Sequence, residues 1–185
     1  MYKLKSVSKL TLILISIVLL FSSCNITDPQ VINVKDKYSI TLPWGSMPSK
    51  NLNSSASLQY TTSGNGIFVI VIDEAKEAFK KALIDNKIIE QFPNSLEGYT
   101  SIVLFNMKQK LKEGKISETK DIKINNMDAK AAEINAKISG VNLYYNIAFV
   151  KGKDTYYQIL TWTRTKRKIE CKEEMDKIIH SFKEL

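Results

Sequence analysis

Three segments in the first half of the chain have the apolar patterns of β-strands. Residues 38–42 and residues 56–60 alternate apolar and polar side chains, and the first of them ends at the turn sequence Pro43-Trp44-Gly45. Such alternation predicts strands with one buried and one solvated face. Residues 67–72 are instead six consecutive apolar residues, which is typical of a strand buried on both faces. The pattern therefore predicts a sheet in which at least one strand is covered on both sides.

Three further segments carry apolar residues at helical spacing. In residues 75–83, alanine, phenylalanine and leucine recur at i, i+3, i+4, i+7 and i+8. A second helix is predicted to begin with Asn94 as N-cap, because Glu97 follows three residues later as in a capping box, and to end at Gly114. The third helix is predicted over residues 168–182. Its apolar stripe consists of Cys171, Met175, Ile178 and Phe182.

The stretch between the second and third helices has the pattern of an antiparallel meander. Residues 132–138 alternate apolar and polar side chains, and turn sequences flank the strands at Asn125-Asn126, Ser139-Gly140 and Lys151-Gly152-Lys153. Together the elements predict an α+β fold in which an antiparallel sheet of about six strands is covered by helices. We expect a single domain over residues 36–185, because a chain of this size forms one core.

The order of these elements resembles that of the PsbP-like family. The features that carry the resemblance are the strand of residues 38–43, the apolar strand of residues 67–72, Tyr144-Tyr145, Tyr156-Tyr157 and the closing segment of residues 178–182. The resemblance covers roughly Val34 to Leu185. It implies an α/β/α sandwich and a likeness to bacterial envelope lipoproteins of the DcrB type. Because this family shares a fold and no set of catalytic residues, the resemblance transfers no activity.

The first 24 residues are typical of a bacterial lipoprotein signal. Lys3, Lys5 and Lys9 form a basic head, which precedes an apolar run of twelve residues at 10–21. This run is shorter than the roughly 20 apolar residues of a membrane-spanning helix. The sequence Leu20-Phe21-Ser22-Ser23-Cys24 resembles the lipobox, at which a peptidase cuts before a cysteine that carries the lipid. An ordinary secretory signal cleaved nearby is the alternative.

The lipobox resemblance divides the chain into three regions and implies a location. Residues 1–23 are predicted to be the signal peptide, and residues 24–35 a lipidated N-terminus followed by a tether. We expect the mature protein to be anchored to a membrane of the bacterial cell envelope through acyl chains on Cys24, among them palmitate, and to face the periplasm. This covalent lipid is the only expected prosthetic group, and no other cofactor is predicted.

Charge and arginine content argue against nucleic-acid binding. The full chain has a net charge of +8, and removal of the signal, with three lysines and no acid, leaves +5. Of the 27 basic residues only Arg164 and Arg167 are arginines, the side chain suited to bidentate contacts with phosphates and bases. We therefore interpret the basicity mostly as solvated surface, with weak attraction to anionic lipid as a secondary possibility.

Few residues suit catalysis or metal binding. Cys171 lies in the apolar stripe of the last helix and is predicted to be core, whereas His180, the only histidine, lies nearly opposite that stripe. The pairs Asp73-Glu74 and Glu173-Glu174 are interpreted as solvated, since adjacent helical residues do not face each other. No Cys-x-x-Cys pair, nucleophile elbow or phosphate-binding glycine loop occurs. We therefore predict no metal site and no enzyme activity.

Two tryptophans and one basic run are candidates for an interaction surface. Trp44 and Trp162 are predicted either to rim a binding groove or to pack on the sheet. The run between the last strand and the last helix is predicted either to contact acidic groups or to be a solvated loop, and it comprises Arg164, Lys166, Arg167 and Lys168.

The sequence thus predicts a lipid-anchored envelope protein that acts without catalysis as a protein-binding or scaffolding module. The partners expected are the membrane, through the anchor, and an envelope protein, but no nucleic acid. An alternative is a carrier or sensor of a small apolar ligand held between sheet and helix. A third is an envelope enzyme whose polar cluster is hidden from one-dimensional spacing.

Overall fold

The computed structural model of the chain describes residues 28–63, 66–111 and 113–185. The predicted signal peptide and Cys24 lie outside these residues. The strands described are β1 (Gln30–Val34), β2 (Tyr38–Leu42), β3 (Ser46–Pro48), β4 (Leu58–Thr62), β5 (Phe68–Ala75), β6 (Glu113–Ile116), β7 (Lys120–Ile124), β8 (Met127–Ile138), β9 (Val141–Lys151), β10 (Thr155–Arg164) and β11 (Lys183–Glu184). The α-helices described are α1 (Lys76–Asp85), α2 (Leu96–Lys110) and α3 (Lys168–His180).

The strands form two antiparallel sheets. The large sheet has the order β3-β4-β5-β10-β9-β8-β6, and β7 shares with β6 the same edge of β8. The small sheet has the order β1-β2-β11. The predicted antiparallel α+β class is confirmed, although the strands outnumber the six or so expected. Several of the added strands have only two to five residues, too few for an alternating pattern to stand out.

The large sheet is covered on both faces. Ile70 and Val71 are neighbours in β5 and so point to opposite faces, yet they are only 4% and 0% exposed. Helices α1 and α2 cover the face of Ile70, while α3 and the small sheet cover the face of Val71. The strand predicted to be buried on both sides is therefore confirmed as an inner strand of the sheet.

Aromatic side chains fill the two layers between the sheet and its covers. On the side of α1 and α2, the Tyr99 and Tyr156 rings stack with centroids 4.6 Å apart, and the edge of Phe79 meets Tyr99 at 5.1 Å. On the side of α3, Phe182 lies 5.1 Å from Tyr38 and 4.9 Å from Tyr157 between ring centroids. Each layer is thus a packed core rather than an open space.

The predicted tether of residues 24–35 needs correction. Its second half forms strand β1, which pairs with β2 through the hairpin residues Lys35 and Asp36, both at positive φ. The sequence pattern missed this strand because its apolar positions are not buried on one face: Val31 is 61% exposed. The stretch left between Cys24 and the folded domain is correspondingly shorter.

Both predicted ends of the second helix were wrong. The N-cap is Ser95 rather than Asn94, because the Ser95 hydroxyl accepts the hydrogen bond of the Gly98 amide at 3.1 Å. The helix ends at Lys110, and Gly114 lies in β6, where it pairs with Ala136. Because β6 pairs with β8, the chain leaves the helix and enters the sheet earlier than the helical pattern predicted. No α-helix in the described part of the chain is long and apolar enough to span a membrane.

Candidate interaction surface

The residues predicted to form an interaction surface lie at one end of the large sheet, which we call the proximal end. Antiparallel pairing aligns the start of β3, the end of β4, the start of β5 and the end of β10, because Met47 pairs with Thr61, Thr61 with Phe68, and Phe68 with Trp162. The β8–β9 hairpin and the turn after β10 are at the same end, since Leu143 pairs with Arg164. The proximal end therefore gathers residues that are far apart in sequence.

Trp44 occupies an exposed turn at this end. The Ser46 amide donates to the Pro43 carbonyl at 3.2 Å, and Gly45 has φ +75°, so the four residues form a tight turn that needs glycine at its third position. The Trp44 side chain is 58% exposed. The Gln30 side-chain amide donates to the Ser46 carbonyl at 2.8 Å, which fixes the start of the folded chain beside this turn.

Trp162 lies in a row of aromatic side chains across the sheet. Its ring stacks on Phe68 with centroids 5.3 Å apart, and on Tyr145 with centroids 5.8 Å apart. All three are only partly buried, and cross-strand pairing extends the row through Thr61 to Met47, which is 53% exposed. We call Met47, Thr61, Phe68, Trp162 and Tyr145 the aromatic row. Trp44 is outside it, so the two tryptophans do not form one groove.

The structure splits the predicted basic run into two parts. Arg164 and Lys166 are exposed and, within the described residues, make no ion pair. Lys168 points back toward the sheet, where its Nζ lies 3.0 Å from Glu133 Oε2 and 4.2 Å from the centroid of the Tyr144 ring. The Arg167 Nε donates to Glu170 at 3.3 Å. Within this run, Arg164 and Lys166 are therefore the residues whose charge faces solvent without an ion pair among the described residues.

Glu133 on β8 is the centre of a polar cluster that the sequence analysis missed. Its carboxylate accepts hydrogen bonds from Lys168 and Lys172 of α3, and Lys172 also lies 3.2 Å from the Tyr144 hydroxyl. The hydrogen bond from Lys172 lowers the pKa of Glu133 to about 2, and the Glu133 carboxylate in turn raises the pKa of Lys172. Glu133 lies 35 residues before Lys168 in the sequence, so no short-range residue spacing predicted this contact.

A cleft of about 460 Å³ opens beside this cluster, between α3 and the β6–β7 connection. Its lining includes Ser117, Glu118, Lys120, Asp176 and His180. The shifts of Glu133 and Lys172 favour their charged forms, whereas general acid–base catalysis needs a group that titrates near the working pH. The cluster therefore suits ion pairing that fixes α3 on the sheet better than it suits proton transfer.

The other sequence candidates lie apart from one another. Cys171 is buried in the core, as predicted, and His180 is exposed on the last helical turn, where its Nδ1 lies 2.8 Å from the Asp176 carbonyl oxygen. Asp73, which is partly buried, and Glu173, which is exposed, form ion pairs with lysines. Among the residues that the structure describes, no group of three or more acidic, histidine or cysteine side chains is arranged to hold a metal ion.

Replacing Glu133 by Gln is expected to destabilise the fold by about 1 kcal/mol at neutral pH, a value reduced for screening because the carboxylate is 36% exposed. The folded-state pKa of about 2 lies below the usual 4.5, so the contribution is complete above pH 4.5 and is lost as the pH falls toward 2. Urea unfolding over this range should show the difference between wild type and Glu133→Gln shrinking with falling pH.

The matched control is Glu118→Gln in the same cleft. Glu118 is exposed and forms no ion pair within the described residues, so its replacement should leave the free energy of unfolding unchanged at every pH. A Glu133→Gln difference that stays constant between neutral and acidic pH would contradict the prediction.

Solved structures of the same architecture come from several bacteria. The cyanobacterial PsbP (CyanoP) of Synechocystis sp. PCC 6803 matches with a TM-score of 0.56, 13% identity, and coverage of 90% of this chain and 99% of that one. The fold is PsbP-like. Protein PA94 of Pseudomonas aeruginosa, described as a putative regulator of unknown function, has a TM-score of 0.52, 11% identity, and coverage of 83% of this chain and 94% of that one.

A third structure with the PsbP-like fold is LpqN of Mycobacterium tuberculosis, described as involved in cell envelope biogenesis. Its TM-score is 0.50 and its identity 7%, with coverage of 89% of this chain and 87% of that one. No protein-family model matches the chain, and no curated protein matches it by sequence. At these identities the likeness concerns the fold alone.

Proposed function

We propose that this chain is a lipid-anchored cell-envelope protein that acts without catalysis as a protein-binding module. The observation that carries the proposal is the aromatic row, a partly exposed band of large side chains at the proximal end. The start of the folded chain lies at the same end, beside the Trp44 turn. A partner held at the row would therefore be held close to the proposed anchor on Cys24.

The composition of the row is that of a protein interface core. Tryptophan, tyrosine, phenylalanine and methionine are enriched at such interfaces, because they bury large areas with few rotatable bonds. The stacking of Phe68, Trp162 and Tyr145 fixes their rings before any partner arrives. A surface that is already ordered loses less entropy on binding, which favours affinity.

Packing supports protein binding over the carrier alternative. A carrier of an apolar ligand needs an apolar space between sheet and helices, and Tyr99, Tyr156 and Phe79 fill that layer with rings in direct contact. An enzyme would have to use the Glu133 cluster for catalysis, but the charged side chains of this cluster already form ion pairs with one another. The involvement of LpqN in cell envelope biogenesis and the description of PA94 as a putative regulator accord with a non-catalytic envelope protein.

Site-specific photocrosslinking in cells tests this proposal. A photoreactive residue in place of Met47 should form an adduct of defined mass with one envelope protein. The matched control is the same residue in place of Ile84 on α1, because Ile84 and Met47 are 51% and 53% exposed. The Ile84 position lies on α1 and outside the row, so it should give no such adduct.

A second substitution shows whether the adduct depends on the row. Thr61→Arg places a charge between Met47 and Phe68 without removing any aromatic ring, and it should abolish the adduct while the thermal unfolding midpoint stays near that of wild type. Adducts of equal yield from both positions, or adducts with lipid or metabolite alone, would contradict protein binding at this surface.

A further inference from the structure

The proximal end carries a second set of exposed apolar side chains, which lie on its turns and strand ends rather than along the aromatic row. Nine large apolar residues are well exposed in the described part of the chain. Besides Met47 of the aromatic row, four of them are at the proximal end: Trp44 at 58%, Ile138 at 41%, Val141 at 41% and Ile169 at 95% exposure. Contact between these apolar side chains and water is unfavourable, so their grouping at one end indicates that another surface covers them.

Basic side chains that have no acidic partner within the described residues surround these four residues. Arg164 and Lys166 lie between the end of β10 and Ile169, and Lys108 and Lys110 lie in the last turn of α2, which ends beside β6. The neighbouring acids Glu113 and Glu170 already face Lys137 and Arg167. The end is therefore both apolar and positively charged, a combination that matches the interface of an anionic bilayer, where tryptophan and basic residues are favoured.

The length of the connecting chain brings this end to the membrane. Only five residues lie between Cys24 and Gln30, and the six steps of the chain from Cys24 to Gln30 can span at most about 22 Å when fully extended. Gln30 is held beside the Trp44 turn by its hydrogen bond to Ser46. With a lipid on Cys24, the proximal end is thus the part of the domain that the bilayer surface meets.

We propose that the proximal end, through Trp44, Ile169 and the open charges of Arg164 and Lys166, rests on a membrane surface that contains anionic phospholipid. This inference rests on the proposed lipid anchor. It also implies how the domain is oriented on the membrane. The aromatic row then lies on a sheet face that is next to the membrane but does not contact it. A protein partner would be presented at a fixed height above the bilayer.

Tryptophan fluorescence can test the contact, because the chain has two tryptophans. The mature lipidated protein is placed in vesicles of phosphatidylcholine and phosphatidylglycerol with brominated acyl chains. In a Trp162→Phe variant only Trp44 emits, and its emission should be strongly quenched. In a Trp44→Phe variant only the partly buried Trp162 emits, and quenching should be severalfold weaker.

Charge reversal tests the basic contribution. Each basic residue near an anionic surface contributes about fivefold to the partition equilibrium, so losing Arg164 and Lys166 should shift the ratio of docked to undocked protein by roughly 25-fold. The Arg164→Glu/Lys166→Glu variant should therefore lose most of the Trp44 quenching. Lys80→Glu/Lys183→Glu changes the net charge equally at exposed positions away from the proximal end, and it should retain the quenching.

The outcomes separate docking from anchoring. Protein that floats with the vesicles but shows no quenching of Trp44 would overturn the docking and leave the anchor intact. Equal losses in the two charge-reversed variants would also overturn it, as would a photoreactive residue at position 44 that labels protein instead of lipid in cells. If the purified chain carries no lipid, the proposed anchor is refuted. Quenching of Trp44 at saturating vesicle concentration then still tests whether the proximal end contacts the bilayer.

Discussion

Cys24→Ala is expected to move the protein from the membrane fraction to the soluble fraction and to abolish its labelling by radioactive fatty acid. A lipobox cysteine of the resembled type carries more than one acyl chain, and each buried CH₂ adds about 0.8 kcal/mol, so two chains give stable attachment. Without them, contacts at the proximal end remain as the weaker attraction. Sedimentation of cell lysates and the mass of the N-terminal peptide measure the effect.

Cys171→Ala is the matched control, since it removes the other cysteine of the chain. Cys171 is buried beside Met175 and Ile178 in the core, so its replacement changes stability but not lipidation. The Cys171→Ala protein should remain in the membrane fraction and incorporate fatty acid like wild type. A Cys24→Ala protein that still sediments with membranes would refute the lipid anchor.

Phe182→Ala is expected to lower the free energy of unfolding by about 3–5 kcal/mol, as for other buried phenylalanines. Phe182 is fully buried, and its ring contacts Tyr38 of the small sheet and Tyr157 of the large sheet just after α3 ends. Removing the ring leaves a cavity where three layers meet, so much of a typical domain stability of roughly 5–15 kcal/mol is lost. Denaturant unfolding at neutral pH measures the change.

Ile169→Ala serves as the comparison for Phe182→Ala. Ile169 lies in the first turn of α3, the helix after which Phe182 follows, but it is 95% exposed, so its truncation creates no cavity, and alanine is the better helix former. The unfolding midpoint of Ile169→Ala should match or slightly exceed that of wild type. A Phe182→Ala loss below about 1 kcal/mol would show that the two sheets do not depend on this contact.

Strong local periodicity accounts for the elements that the sequence predicted well. The consecutive apolar residues of β5 and the stripe of Cys171, Met175 and Ile178 on α3 are buried as expected. The turn at Asn125 and Asn126 was also confirmed, since both residues have positive φ. In each case the physical signal lies within a few neighbouring residues.

Elements that depend on a hydrogen-bonding partner, rather than on their own apolar pattern, were not predictable in this way. Strand β1 forms because β2 offers it hydrogen bonds, and β6 forms because β8 does, although neither has a clear alternating pattern. The helix start at Ser95 instead of Asn94 depends on one hydrogen bond to Gly98, which two adjacent capping residues compete to make. The resemblance to PsbP-like proteins supplied the overall architecture that these short elements complete.

The candidate surface shows the same division. The sequence identified Trp44, Trp162 and the basic run as candidates, but not that Lys168 turns inward to Glu133 or that Trp162 stacks between Phe68 and Tyr145. These contacts join residues that are from 17 to 94 positions apart, as the sequence numbering gives. Strand pairing and the packing of α3 on the sheet bring them together.

The sequence by itself determined the fold class, the inner strand and helices, the core position of Cys171 and the charge of the chain, because each follows from local composition or periodicity. Its prediction of a lipid on Cys24 likewise rests on a local motif and awaits the labelling experiment. The tertiary structure decided which exposed residues share a surface. Strand register sets that neighbourhood, and register arises from long-range hydrogen bonds and core packing that no local pattern encodes.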